Sequence, residues 1–172
     1  MNTGLVSGLR RFVVAFFIFF IVTGALVGGV FAAMAENEAL SLRVVRVVDG
    51  DTIWTEGGEQ IRYIGLDTPE IGEPFYKEAR LKNLELVGVG GVVEVVVCKD
   101  EPRDRYGRLL AWIYVDGVDV AGEILKAGLA RRLMIPPCGR LKAAKYRAIE
   151  RDARSRGVGI WGAGKKKRLE QD

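Results

Sequence analysis

The longest apolar stretch lies at the start of the chain, where residues 12–35 carry no charge, Arg10 and Arg11 precede them, and Glu36 and Glu38 follow. That length exceeds the roughly 20 residues needed to cross a bilayer. Ala33-Met34-Ala35 also supplies the small-x-small pattern that a signal peptidase reads. Residues 1–35 are therefore expected to be an N-terminal hydrophobic signal or anchor helix. The protein would be secreted or extracytoplasmic, or held at a membrane by residues 12–35 alone.

Beyond residue 36 the pattern becomes strand-like. Leu42 to Val48 is valine-rich and ends at Asp49-Gly50, a strong hairpin signal. The next run, Asp51 to Glu56, turns at Gly57-Gly58 and returns as Gln60 to Leu66, where Asp67-Thr68-Pro69 must end it because proline lacks a ladder donor. Pro74, then Phe75, Ala79 and Leu86 among charges, predict a helix to about Val87, stopped by Gly88, Gly90 and Gly91. Val92 to Val97 and Leu109 to Val115 predict two antiparallel strands joined by the polar segment 99–107. Val118 to Ala127 is expected to be helical up to Gly128, and Leu141, Ala144, Ala148 and Ile149 mark a last amphipathic helix. Five strands with a helix between the third and fourth is the layout of an OB-fold. The expected class is α+β: a five-stranded OB-fold β-barrel with three helices. Residues 36–162 should form one domain and 163–172 a basic, disordered tail.

Composition then narrows the chemistry. There is no histidine, which excludes Ser-His-Asp and Cys-His triads, histidine-ligated zinc and imidazole proton transfer. Carboxylates, guanidinium groups, amines, hydroxyls or a hard cation must carry any reaction. With 26 Lys+Arg against 22 Asp+Glu, the net charge of +4 is only a mild pointer to an anionic partner.

One constellation stands out. If the second and third strands pair through Gly57-Gly58, Asp51 at the start of one lies beside Asp67 at the end of the other. Two carboxylates so close repel unless something positive sits between them. With no histidine, the candidates are an arginine or an oxygen-seeking cation, calcium or magnesium. The Thr68 carbonyl, held extended by Pro69, would be a further oxygen ligand, and Glu70 is placed to act on water. Arg62 precedes Asp67 by five residues, so strict alternation puts the two on opposite faces unless Gly65 bends the strand. Taken singly, these residues are an ordinary turn, an ordinary strand exit and a surface ion pair.

Asp49-Gly50-Asp51-Thr52, Ile61-Arg62-Tyr63-Ile64-Gly65-Leu66-Asp67-Thr68-Pro69-Glu70 and Asp104-Arg105-Tyr106-Gly107-Arg108, in that order and spacing, resemble the staphylococcal nuclease (thermonuclease) family. The similarity continues through Gly128-Leu129-Ala130 to Gly159-Ile160-Trp161. What the resemblance implies is a Ca2+-dependent phosphodiesterase on a five-stranded OB barrel with three helices; export is expected from the apolar leader, and the protein is expected to be a monomer. It would cut DNA and RNA, single strands preferred, by water attack at phosphorus, leaving 3′-phosphate ends. Asp51, Asp67 and the Thr68 carbonyl would be the calcium ligands and Glu70 the base or water orienter. Arg62 and Arg108 would be phosphate clamps replaceable without loss of the fold, and Arg105 and Tyr106 would bind substrate. The resemblance also brings Cys98 and Cys138 close enough for a disulfide.

The sequence departs from the family after Gly128-Leu129-Ala130. Arg131-Arg132-Leu133-Met134-Ile135-Pro136 carries no aromatic where the family stacks tyrosines, and the loop after Glu70 is cut to Ile71-Gly72-Glu73-Pro74. Weaker base stacking on that side is expected, at about 1–3 kcal/mol per base. Two other classes compete with the nuclease: an OB-fold nucleic-acid-binding module without turnover, and a membrane-tethered interaction domain. Clustered acids that repel phosphate argue against a pure binder.

Overall fold

In a computed structural model of the chain, the described residues are 39–162. The hydrophobic leader 1–35 and the basic tail 163–172 lie outside them. Among the described residues no helix is long and apolar enough to cross a membrane.

Period-two burial of the valine-rich runs builds the barrel. β1 (Leu40–Val47) pairs antiparallel with β2 (Thr52–Thr55), and β2 pairs with β3 (Gln60–Tyr63). After a break at Ile64-Gly65 comes the two-residue β4 (Leu66–Asp67), then α1 (Tyr76–Val87) and β5 (Val92–Val97), which lies on the other edge of β1. β6 (Leu109–Val115) pairs antiparallel with β5 and parallel with β3, placing Ile61 opposite Leu109 and Tyr63 opposite Ala111. That last pairing closes the order β3-β2-β1-β5-β6 into the expected five-stranded barrel. The chain finishes with β7 (Val118–Asp119), α2 (Val120–Lys126), β8 (Arg131–Arg132) and α3 (Ala143–Arg156), so the three expected helices are present.

Several boundaries differ from the sequence expectation. The third strand stops at Tyr63 instead of Leu66, because the chain turns at Gly65 and β4 pairs instead with β8. α2 starts at Val120, not Val118, because Val118 and Asp119 pair with the end of β6. The first helix begins after Phe75, whose backbone is left-handed at φ 71°. The last helix extends to Arg156, where Gly157 caps it in the left-handed region.

β6 reads as a continuous apolar run because both its faces are covered. Ala111 and Ile113 point into the barrel core with Ile61, Val93, Val95, Ile124 and Leu125. Leu110 and Trp112 face outward into a second cluster with Ile64, Cys98 and Cys138. The two cysteines are joined, 40 residues apart in sequence, with Cα atoms 5.8 Å apart. Closing a loop of that length stabilises by roughly 4 kcal/mol in the chain-entropy account. Reducing agent is therefore expected to lower the unfolding temperature; an unchanged value, with two free thiols counted in untreated protein, would refute the bridge.

α3 is fastened to the barrel through Asp119. Its carboxylate caps α2 at Gly122 N and accepts hydrogen bonds from Lys142 Nζ (3.0 Å), Lys145 Nζ (2.9 Å) and Tyr146 OH (2.9 Å). Burial raises the Asp119 carboxyl, yet Lys145, Lys142 and Tyr146 together hold it below the usual carboxylate range. The Tyr146 ring, fully buried, lies against Gly65 so closely that a Cβ there would stand 2.3 Å from Tyr146 Cε2. At φ 100°, Gly65 occupies a conformation that few other residues adopt.

Candidate active site

The turn at Ile64-Gly65 answers the alternation problem. Once the chain bends there, Leu66 and Asp67 curl back around the Arg62 guanidinium. Arg62 Nη1 donates to the carbonyls of Tyr63 (3.1 Å) and Leu66 (3.0 Å) and pairs with Asp51 Oδ2 at 3.0 Å, while Nη2 reaches Asp67 Oδ1 at 2.9 Å. The positive group between the two acids is thus Arg62 itself. Arg62 and Asp51 are buried, with side chains 8% and 7% exposed, whereas Asp67 is 52% exposed.

Asp51 is held in place by the segment it faces. Its Oδ2 accepts from Thr68 N and Thr68 Oγ1, both at 2.9 Å, and its Oδ1 accepts from Thr52 Oγ1 at 3.1 Å. Gly50 allows this approach, since a Cβ there would sit 2.6 Å from Thr68 Cγ2. Asp49, which the sequence reading treated only as a turn residue, belongs to the same group. Its Oδ1 accepts from Asp51 N at 2.9 Å. Burial first, and the Asp51 charge second, push its carboxyl up to about 6. The Asp-Gly-Asp spacing was the available signal, because it sets two carboxylates on one tight loop.

Glu70 is exposed, its backbone N–H bound to Glu73 Oε2 at 2.8 Å, and its carboxylate has no partner among the described residues. Arg108 does not touch the acids. Asp104 organises its loop, accepting from Arg108 Nε (2.7 Å), Arg108 N (3.0 Å) and Tyr106 N (2.9 Å). Burial raises the Asp104 carboxyl, and the bonds from Arg108 and Tyr106 bring it below the usual range. Arg103 ties this loop to the β2–β3 turn through two 2.9 Å bonds to Glu59. Since Arg62 is opposite Leu110 in the parallel pairing, Arg108 stands two positions before Leu110, in the loop that leads directly into β6 at Leu109. Arg105 donates to Tyr106 OH at 2.6 Å, and the Tyr106 ring is 68% exposed.

The donors suit a hard cation in type: carboxylate, hydroxyl and carbonyl oxygens, with Asp67 open to solvent. Among the described residues no three acidic or cysteine side chains converge on one point, so carbonyl, water or substrate oxygens would complete a coordination sphere. A cavity of about 380 Å³ is lined in part by Asp67 and Thr68.

The OB barrel closed between β3 and β6, with Arg62 held between Asp51 and Asp67 at that seam, can be set beside the comparison with known sequences. The chain belongs to the staphylococcal nuclease family: residues 60–163 match the family described as "Staphylococcal nuclease homologue". It is 33% identical over 135 residues to endonuclease YncB of Bacillus subtilis, covering 73% of this chain and 64% of that protein. To the prophage-derived endonuclease YokF of the same organism it is 34% identical over 134 residues, covering 73% of this chain and 45% of YokF. To the thermonuclease of Staphylococcus intermedius it is 31% identical over 130 residues, covering 70% and 76%. The chain therefore spans less than two thirds of the length of the two Bacillus endonucleases.

Proposed function

We propose that this chain is an exported nuclease, dependent on a divalent cation and favouring calcium. It hydrolyses phosphodiester bonds of DNA and RNA by water attack at phosphorus, leaving 3′-phosphate ends. The observation that carries the reading is the placement of Arg62, fixed by two carboxylates and two carbonyls, with Arg108 in the loop that enters the neighbouring strand β6. The family, and relatives named endonuclease and thermonuclease, support it. The apolar leader and the disulfide support export.

Water attacking a phosphodiester drives negative charge onto the non-bridging oxygens. The Nε–H of Arg62 has no partner among the described residues, so the guanidinium can donate to one of those oxygens while its other edge keeps it aimed. A donor already oriented by the protein pays no reorganisation when that charge develops. Arg108, braced by Asp104, offers its unbound Nη groups to the same phosphate from the loop before β6. Glu70, exposed and unpaired, accepts a proton from the attacking water or orients it. Asp51, Asp67 and the Thr68 carbonyl would hold the cation, which supplies Lewis-acid polarisation of a phosphoryl oxygen.

The test is digestion of denatured DNA and RNA with added Ca2+, with and without excess chelator, followed by end-group analysis. Cleavage to 3′-phosphate ends that stops on chelation is expected. Retention of DNA without cutting would favour the non-catalytic OB-fold binder. Arg108→Ala is expected to lower kcat about a hundredfold or more, as removal of one transition-state donor does; wild-type turnover would remove Arg108 from the site.

A further inference from the structure

We infer that the cavity beside Asp67 and Thr68 is a nucleoside subsite, which takes the base and sugar of an unpaired nucleotide flanking the phosphodiester to be cut. The inference rests on the proposed nuclease function and extends it to one specified region of the surface.

The cavity volume, about 380 Å³, is within the range of small-ligand pockets. Phe75, Pro74 and Ile160 supply apolar wall, and Asp67, Glu73 and Arg131 supply polar groups. A nucleoside needs that combination: a flat ring surface for the base, a planar cation to stack on it, and carboxylates to accept from sugar hydroxyls or exocyclic amines. Arg131 is itself steadied by Trp161, its guanidinium 4.8 Å from the ring centroid, with Arg154 at 4.1 Å on the same ring. β4–β8 pairing sets Arg131 opposite Asp67, so the cavity shares a wall with the carboxylate cluster.

Phe75 adds a separate observation. At φ 71° and ψ 5° it is in the left-handed region, which a phenylalanine occupies only at an energetic cost. Glycine would relieve that strain, but a glycine has no ring to line the cavity. Strain retained beside a candidate site is the kind of outlier from which function is properly inferred.

Topology also gives the subsite a place along a substrate. Tyr106 and Arg105 sit on the β5–β6 loop, on the β6 side of Arg62, whereas Asp67 and the cavity lie on the β4–β8 side. A strand crossing the two arginines would meet an aromatic ring at each end. The segment 131–136 carries no aromatic, and Phe75 supplies one to the cavity lining. A base inside the cavity would have to be unpaired.

The experiment compares wild type with Phe75→Gly and Arg131→Gln on a nucleoside aryl phosphodiester and on oligonucleotides lengthened one residue at a time at either end. For wild type, kcat/KM is expected to rise about five- to 150-fold when the nucleotide that reaches the cavity is added, the span that stacking one base supplies. Both variants should keep the rate on the shortest substrate and lose that step. Equal length dependence in wild type and a folded variant overturns the subsite and leaves the nuclease intact. Equilibrium binding of the same oligonucleotides separates the two ideas further. If no diester is cut, yet either variant weakens oligonucleotide binding at least about fivefold, the subsite stands and the hydrolytic reading fails. Equal binding by all three proteins overturns the subsite. Arg131→Gln, a surface change, carries the comparison if Phe75→Gly does not fold.

Discussion

Arg62→Ala is expected to lose stability and activity together. Asp51, buried and paired with Arg62 at 3.0 Å, would be left as an uncompensated interior charge. Breaking a buried pair from one side costs about 3–5 kcal/mol. Thr68 N, Thr68 Oγ1 and Thr52 Oγ1 still solvate the carboxylate, which places the loss near the lower end of that range. Asp67, half exposed, adds little. The expected loss differs from what the sequence alone suggested, a phosphate clamp replaceable without loss of the fold, because Arg62 is also the buried partner of Asp51. Urea unfolding together with kcat/KM checks it: an unchanged midpoint would show that Asp51 does not depend on Arg62. Asp51→Asn placed in the same chain should recover much of the lost stability and none of the activity. Arg62→Lys keeps the charge but loses the planar fork, so it should remain folded more firmly than Arg62→Ala while turning over poorly.

The second large effect is expected at Gly65→Ala. The new methyl would stand 2.3 Å from Tyr146 Cε2 on a backbone at φ 100°. The conformational term is about 1–2 kcal/mol and the overpacking term about 1–3 kcal/mol, so roughly 3 kcal/mol of destabilisation is expected. Tyr146 cannot swing clear cheaply, because its hydroxyl is held by Asp119. Adding Tyr146→Ala to Gly65→Ala should remove the clash but not the backbone strain. The double mutant is then expected to be more stable than the sum of the two single changes, and strict additivity would show that the ring and the glycine do not interact. Activity should fall in Gly65→Ala even at temperatures where it stays folded, since that turn brings Asp67 back to Arg62.

Much of the barrel was legible because its signals are local. Valines alternate in β5, glycines stop the first helix, and the Gly57-Gly58 turn fixes which strand ends meet. Those signals also placed Asp51 near Asp67. The grip on Arg62 was only half legible. Gly65 announced a bend, but its direction is set by Tyr146, about 80 residues later in the chain. Val118 and Asp119 continued a helical pattern on paper, yet pairing with β6 and capping duties took both out of the helix. Phe75 resembled the first turn of a helix, and no local rule marks a phenylalanine as left-handed. Asp49 was hidden by its own turn chemistry, which accounts for the residue without invoking its carboxyl.

The parallel seam between β3 and β6 has a consequence for when the candidate site is assembled. Arg62 and Arg108 stand on opposite sides of it, and three registered pairs, each linking positions 48 residues apart, hold it closed. Pairing across such a separation must await synthesis and arrival of the later strand. A chain made only as far as β5 therefore lacks the seam that sets Arg62 beside the Arg108 loop, and that half of the candidate site is assembled only when β6 closes the barrel.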